Sequence, residues 1–226
     1  MVDKTQQKPA KKAILAIFAK QPIPGQVKTR LCPPLDHTTA AALYLEALTE
    51  TVERVQQSQG HDLAICFAGD RQWFAATFPG IMLREQKGAD LGERMAGALK
   101  DFLSQGYQQA ILIGSDIPDL PVERIEQAFF ALEEVELVLG PAVDGGYYLV
   151  GETTHHPQLF ENIPWSSGQV FAQTLDRVKA LNLSLEQLAE WEDLDDLAAL
   201  QRYLQRSPEG RTARYLKREL AELFAD

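Results

Sequence analysis

Cysteine is scarce in this chain: Cys32 and Cys66 are the only two among 226 residues, far apart and in no metal-ligand spacing. Cys66 sits in an apolar strand pattern and reads as packing, while Cys32 follows a basic loop. No apolar run approaches the length of a membrane span, and the opening MVDKTQQKPAKK is polar and lysine-rich without a hydrophobic leader segment. A cytoplasmic protein with no membrane span is therefore expected. Also missing are a linker rich in Pro, Gly or Ser and any internal repeat, which leaves a single domain at this length. Bases are in the minority, 22 against 32 acids, for a net charge of −10. An acidic body argues against an extended nucleic-acid surface, because affinity for polyphosphate needs many cations.

The cations that are present are concentrated. Residues 1–30 hold seven Lys or Arg and one acid, a balance of +6, so the remainder carries −16. Four of those lysines fall in residues 1–12, read as a flexible tail ahead of one domain spanning 13–226. The other three, Lys20, Lys28 and Arg30, lie in FAKQPIPGQVKTRL (Phe18 to Leu31) behind the apolar run AILAIFA (Ala13 to Ala19). A continuous apolar run suits a strand covered on both faces, and open α/β sheets place ligands at the carboxyl ends of such strands. Three cations there, with Gly25 permitting close approach of the backbone, point to a small phosphate-bearing ligand. The plain alternative is a solvated basic loop whose prolines stiffen a turn.

The rest of the chain alternates strand and helix. Apolar spacing predicts a helix over 39–55 with Thr38 or Thr39 as N-cap, and strands at 63–68, 81–84 and 110–114. A short helix is predicted around 71–77. Asp90 and Glu93 form a capping pair for a helix whose apolar face is Leu91, Met95, Leu99 and Phe102. Further helices are predicted near 122–132, 169–181, 197–204 and 212–224, with strands at 137–139 and 145–151. This order specifies a mostly parallel α/β sheet with right-handed crossovers.

Acids supply the remaining chemistry. Asp116, just past the strand at 110–114, is either a turn residue or a ligand for a hard cation such as magnesium or manganese. Asp193 and Asp195 in WEDLDDLAAL face the same way if the chain is extended there, and one of them could join Asp116; acids also favour the first turn of a helix. Asp144 with Gly145 and Gly146 forms either a tight hairpin or a surface for a sugar, Asp144 being a candidate base. Trp165 stacks on a sugar or acceptor, or packs in the core. His155 and His156 have no third ligand nearby and read as a surface pair.

Six segments together resemble a bacterial family of GT-A-type glycosyltransferase-like proteins, nucleotide-diphospho-sugar transferase-like and associated in some members with arsenosugar biosynthesis. They are FAKQPIPGQVKTRL, GADLGERM (Gly88 to Met95), ILIGSDIPDL (Ile111 to Leu120), GPAVDGGYYLVG (Gly140 to Gly151), PWSSGQVFAQTL (Pro164 to Leu175) and EDLDDLAAL (Glu192 to Leu200), in the family's order. The resemblance implies a single-domain, Rossmann-like mixed sheet, mostly parallel, with helices on both faces. It implies that Ala19, Lys20, Gly25, Lys28 and Arg30 wrap a nucleotide and its phosphates. Asp116, with Asp193 or Asp195, would hold a divalent cation, Mg2+ or Mn2+. Asp144, Gly145, Gly146 and Trp165 would face the sugar or a small-molecule acceptor. Two departures stand out: prolines replace the glycines of the sugar-nucleotide pyrophosphorylase loop, and Ser115-Asp116-Ile117 supplies one carboxylate where many glycosyltransferases carry more.

The leading expectation is metal-dependent glycosyl transfer from a nucleoside diphosphate sugar. A guanylyltransferase-like nucleotidyl transfer from a nucleoside triphosphate to a phosphorylated small molecule uses a similar sheet. A non-catalytic sugar-nucleotide-binding domain is the third reading.

Overall fold

A computed structural model describes residues 12–165 and 167–224. Seven strands among these residues form one sheet: β1 (Ala13–Lys20), β2 (Asp62–Ala68), β3 (Met82–Glu85), β4 (Gln109–Gly114), β5 (Leu137–Pro141), β6 (Tyr147–Glu152) and β7 (Leu185–Gln187), in the order β3-β2-β1-β4-β6-β5-β7. All neighbours run parallel except around β6, which is antiparallel to both β4 and β5. This is the mixed, mostly parallel α/β sheet that the sequence specified.

Alternation along each strand feeds two cores. Leu15 and Ile17 of β1 join Ile65, Phe67, Ile111 and Ile113 under α1 (His37–Val55), α2 (Arg71–Thr77) and α4 (Val122–Ala131). Ile14 and Ala16 face the other way, with Ala64, Cys66 and Leu112, under α3 (Leu91–Ser104) and α5 (Val170–Leu181). Both faces are covered, which is why the strands read as unbroken apolar runs. A third cluster joins Leu43 and Ala47 of α1 to Leu200 and Tyr203 of α6 (Leu197–Arg206) and to Ala213 and Leu216 of α7 (Arg211–Glu219).

Several boundaries differ from the sequence reading. Helix α1 starts at His37, because the Asp36 carboxylate accepts from the Thr38 and Thr39 amides at 2.8 and 2.9 Å; the threonines lie inside the helix. The 145–151 strand begins at Tyr147, since Gly145 sits at φ 85° in the preceding turn. The last helix ends at Glu219, followed by a 3-10 turn at Ala221–Phe224. β7 went unread. The capping pair at α3 is present: the Asp90 carboxylate accepts from the Glu93 amide, and the Glu93 carboxylate accepts from the Ala89 amide, each at 2.8 Å. The proposed tail, apart from Lys12, lies outside the described residues, as does Ser166.

Following the chain, β1 leads to β2 and β3 on one side, whereas β4 and its successors lie on the other. The crevice at the carboxyl ends of β1 and β4 is thus the point where strand order reverses, the place such sheets leave for a ligand.

Candidate active site

The loop leaving β1 is shaped by its turn chemistry. The Gln26 amide donates to the Ile23 carbonyl at 3.0 Å with Pro24 and Gly25 between them, Gly25 at φ 79°. Proline second and glycine third in a four-residue turn is the type II preference. The turn sends the chain back over the sheet, where Lys28 takes left-handed backbone angles (φ 48°, ψ 36°) ahead of a short 3-10 turn, Thr29–Leu31. The Lys28 side chain then runs inward until only 6% of it is exposed.

Two carboxylates meet it. Lys28 Nζ donates to Asp116 Oδ2 at 2.5 Å and to Asp195 Oδ1 at 2.7 Å, and Arg30 donates from Nη1 to Asp195 Oδ2 at 3.0 Å. Burial pushes the lysine down; Asp116 and Asp195 overcome it and hold the ammonium charged well above the usual lysine range. Burial likewise pushes Asp195 up, but Lys28 and Arg30 outweigh it and keep the carboxylate below its ordinary value.

Asp116 is carried by β4, two residues past its end. Its main-chain oxygen accepts from the Leu194 amide at 3.0 Å, which draws the acidic loop 191–196 across the sheet end. That loop is strapped to β5 as well: the Trp191 amide donates to the Pro141 carbonyl at 3.0 Å, and the Val143 amide to the Trp191 carbonyl at 3.1 Å. Arg206 of α6 clamps it from outside, donating from Nε to Asp119 Oδ2 at 2.6 Å and from Nη1 to Glu192 Oε2 at 3.0 Å. The sequence reading missed this clamp, and no spacing signals it, because its three members come from separate elements.

Asp193 and Asp195 therefore do different things. Asp195 closes on Lys28, whereas Asp193 is half-buried, with its buried Oδ1 accepting no hydrogen bond. Burial first, then the nearby Asp116 charge, pushes the Asp193 carboxyl well above its usual range.

The crevice has two lobes. One, of 420 Å3, is lined by Lys20, Lys28, Arg30, Tyr44, Ser115 and Asp116 among others. The other, of 360 Å3, shares Lys20, Arg30, Asp116 and Asp195 and adds Asp144, Gly146, Tyr147, Trp165 and Asp193. Tyr44 and Ser115 were not singled out from sequence, although Ser115 adjoins Asp116. Their hydroxyls lie 2.7 Å apart, and burial lifts the Tyr44 phenol to about 12.

Most candidates converge here; three have other surroundings. The Ala19 side chain is buried in the core, its carbonyl accepting from Gln86 Nε2 at 3.2 Å, and Gly25 is exposed in its turn. Gly145 lies against the main chain of Gly168, whose oxygen would come within 2.2 Å of an added Cβ. It is Gly146 that lines the lobe, its amide donating to Asp144 Oδ1 at 2.9 Å. Trp165 meets Tyr147 edge-on at 6.2 Å and lies so close to α3 that a Cβ on Gly92 would fall 2.3 Å from its Nε1.

Can these groups hold a divalent cation? Among the described residues no three His, Cys, Asp or Glu side chains form a ready cage. Magnesium and manganese seldom need one, since one or two carboxylates plus substrate phosphates and water suffice. Asp116 and Asp193 line the same lobe, are all-oxygen donors, and leave one buried oxygen without a partner. They fit.

A family model described as "Uncharacterized protein conserved in bacteria (DUF2064)" matches residues 51–167. A candidate nucleotide-diphospho-sugar transferase from Desulfovibrio desulfuricans G20 is 33% identical in sequence, the match covering 94% of this chain and 96% of that one with a TM-score of 0.87. CMP:2-keto-3-deoxy-manno-octonic acid synthetase, solved with CTP, superimposes over 87% of this chain and 98% of its own at 12% identity and a TM-score of 0.55. Rv0371c from Mycobacterium tuberculosis H37Rv, solved with manganese, does so over 86% and 98% at 15% identity and 0.52. At such identities these two show the fold. No curated protein matches in sequence.

Proposed function

The chain belongs to the DUF2064 family and to the GT-A-like nucleotide-sugar transferases, and we propose that it transfers a glycosyl group from a nucleoside diphosphate sugar to a small hydroxylated acceptor in a reaction that requires Mg2+ or Mn2+. The observation carrying this reading is the meeting of Lys28 and Arg30 with Asp116 and Asp195 where strand order reverses. Two cations beside two acids form a site that takes a diphosphate and its counter-ion together.

In this reading Lys28 and Arg30 turn toward the diphosphate, where charge-assisted hydrogen bonds are strongest. Asp116 and Asp193 would hold the cation, with Asp195 beside them; its positive charge would offset the negative charge growing on the leaving diphosphate. The lobe beyond holds the sugar under Trp165. Asp144, aligned by the Gly146 amide, accepts the proton of the attacking acceptor hydroxyl. The anomeric carbon gains a bond to the acceptor oxygen and loses its bond to the diphosphate oxygen.

Product analysis tests the reading. Incubation with a panel of sugar nucleotides and Mn2+ should release a nucleoside diphosphate. Release of inorganic diphosphate from a nucleoside triphosphate would assign nucleotidyl transfer instead, the activity suggested by the cytidylyltransferases that share this fold.

A further inference from the structure

Away from the crevice, β6 ends in Glu152, a carboxylate with no exposed surface and no lysine or arginine partner among the described residues. Two groups from the following turn satisfy it. Its Oε2 lies 3.0 Å from His155 Nδ1, and its Oε1 accepts from the His156 amide at 3.2 Å. The two histidines are thus not the surface pair suggested by the sequence. Because a carboxylate accepts, Nδ1 carries the proton of this bond, and Nε2 is the ring atom left to meet a ligand.

His155 lines a 700 Å3 cavity beside α3, with Asp90, Glu93, Lys100, Phe160 and Asn162 also on its walls. This cavity and the crevice share a partition. Helix α3 contributes Leu91 and Met95 to the crevice and, with its N-cap Asp90, Glu93 and Lys100 to the second cavity. Phe160 stacks on both His155 (6.4 Å, 21°) and Trp165 (6.5 Å, 19°), and Trp165 lines the crevice. The acids Asp90, Glu93 and Glu161 outnumber Lys100, which disfavours a phosphate or carboxylate ligand. What remains is a mixed wall of hydroxyl acceptors and apolar surface around Phe160 and Ile163, suited to a neutral hydroxylated ring.

We propose that this cavity is a saccharide subsite for a hydroxylated ring of the acceptor class, a glycoside or related polyol. The assignment of the bound sugar to an acceptor rests on the glycosyl-transfer reading. His155 is then a specificity-determining residue, reading one hydroxyl through Nε2, with Glu152 as its positioning residue.

Methyl glycosides of glucose, galactose and mannose are the probes, titrated into the full chain while long-range 1H–15N spectra follow the His155 ring. At least one should shift Nε2 saturably with a dissociation constant in the range of about 1–10 mM, ordinary for a single small ring. Gly97→Leu fills the cavity from α3 without touching Glu152, the nearest atom to a new Cβ being the Lys87 carbonyl oxygen at 3.6 Å. It should abolish the shift and leave nucleoside diphosphate binding by calorimetry unchanged. His155→Gln should weaken glycoside binding roughly tenfold, the value of one lost hydrogen bond. Nucleotide binding with no saturable His155 shift for any probe overturns the subsite alone. A saturable shift without nucleotide binding keeps the saccharide site and removes the transferase reading. A shift that survives Gly97→Leu places the sugar elsewhere and also overturns the subsite.

Discussion

Lys28 and Arg211 are each clasped by two carboxylates from distant parts of the chain, and they serve opposite ends. Lys28 holds Asp116 and Asp195 at the sheet's carboxyl edge, with 6% of its side chain exposed. Arg211, at the start of α7, holds Glu46 at 3.1 Å and Glu53 at 3.0 Å against α1, with 39% exposed. Water screens the second cluster freely and has far less access to the lysine at the centre of the first. A buried ionic cluster is costly to assemble and stabilises little more than apolar packing would, so its presence in an open crevice favours a role in binding. An exposed one fastens helices and contributes a fraction of a kcal/mol.

The sharpest way to break this contrast is Asp116→Ala. Turnover with a sugar nucleotide and Mn2+ should fall by roughly 10²-fold or more, as when one preorganised electrostatic group is removed from a transition-state site. Folding should survive, because Asp195 still pairs with Lys28. The stability loss should stay below the roughly 3–5 kcal/mol of a fully broken buried pair. Steady-state rates with urea unfolding check both, and full activity in this variant would remove Asp116 from the mechanism.

Lys28→Met comes next. It keeps the length of the side chain and deletes the charge, so nucleoside diphosphate affinity should drop about 10- to 100-fold, in line with lost charge-assisted hydrogen bonds. Calorimetry with and without Mn2+ measures it. Unchanged affinity would return Lys28 to the same class as Arg211, a structural fastener.

How far the sequence foretold this contrast depends on where each partner lies. Lys28, Arg30 and Asp116 were legible, because apolar runs mark strand ends and a charged residue just beyond one stands at the ligand edge. The pairing of Lys28 with Asp195, 167 residues on, was not. It follows from the Leu194 amide bonding to Asp116, a contact that no local pattern encodes. Strand β7 was missed because Leu-Glu-Gln at an exposed edge lacks the β-branched alternation that marks strands. Glu152 was missed for the reverse reason: an acid closing an apolar run reads as exposed, and only its bonds to the next turn show how it is buried. Gly145 read as part of either a tight hairpin or a ligand surface; its φ of 85° in the turn and the Gly168 main chain against it both require glycine there.

Between the two clusters in burial lies the clamp on the acidic loop, and it grades the comparison. Asp119 is nearly buried, and Arg206 supplies its 2.6 Å hydrogen bond, with Trp191 Nε1 adding one at 3.3 Å. Arg206→Leu leaves that carboxylate with the indole alone, which should cost about 2 kcal/mol of stability. Because the same loop carries Asp193 and Asp195, Mn2+ affinity read by electron paramagnetic resonance should fall several-fold as well. A stability loss with unaltered Mn2+ binding would make the clamp a fastener like Arg211.

Arg211→Ala should do least. Its carboxylate partners keep access to water, so losing the cation strands no buried charge, and α7 remains docked through Ala213 and Leu216 in the third apolar cluster. The expected loss is about 0.2–1 kcal/mol in dilute buffer. Added salt should shrink it further, since the screening length falls to about 3 Å at 1 M. Sugar-nucleotide turnover should not change. The paired measurement is urea unfolding of Arg211→Ala and Lys28→Met at low and high salt: the first difference should fade with salt, while that of the sheltered lysine should persist. Equal salt sensitivity in both would mean that water reaches Lys28 as freely as Arg211, and the distinction between a binding cluster and a fastening one would fail.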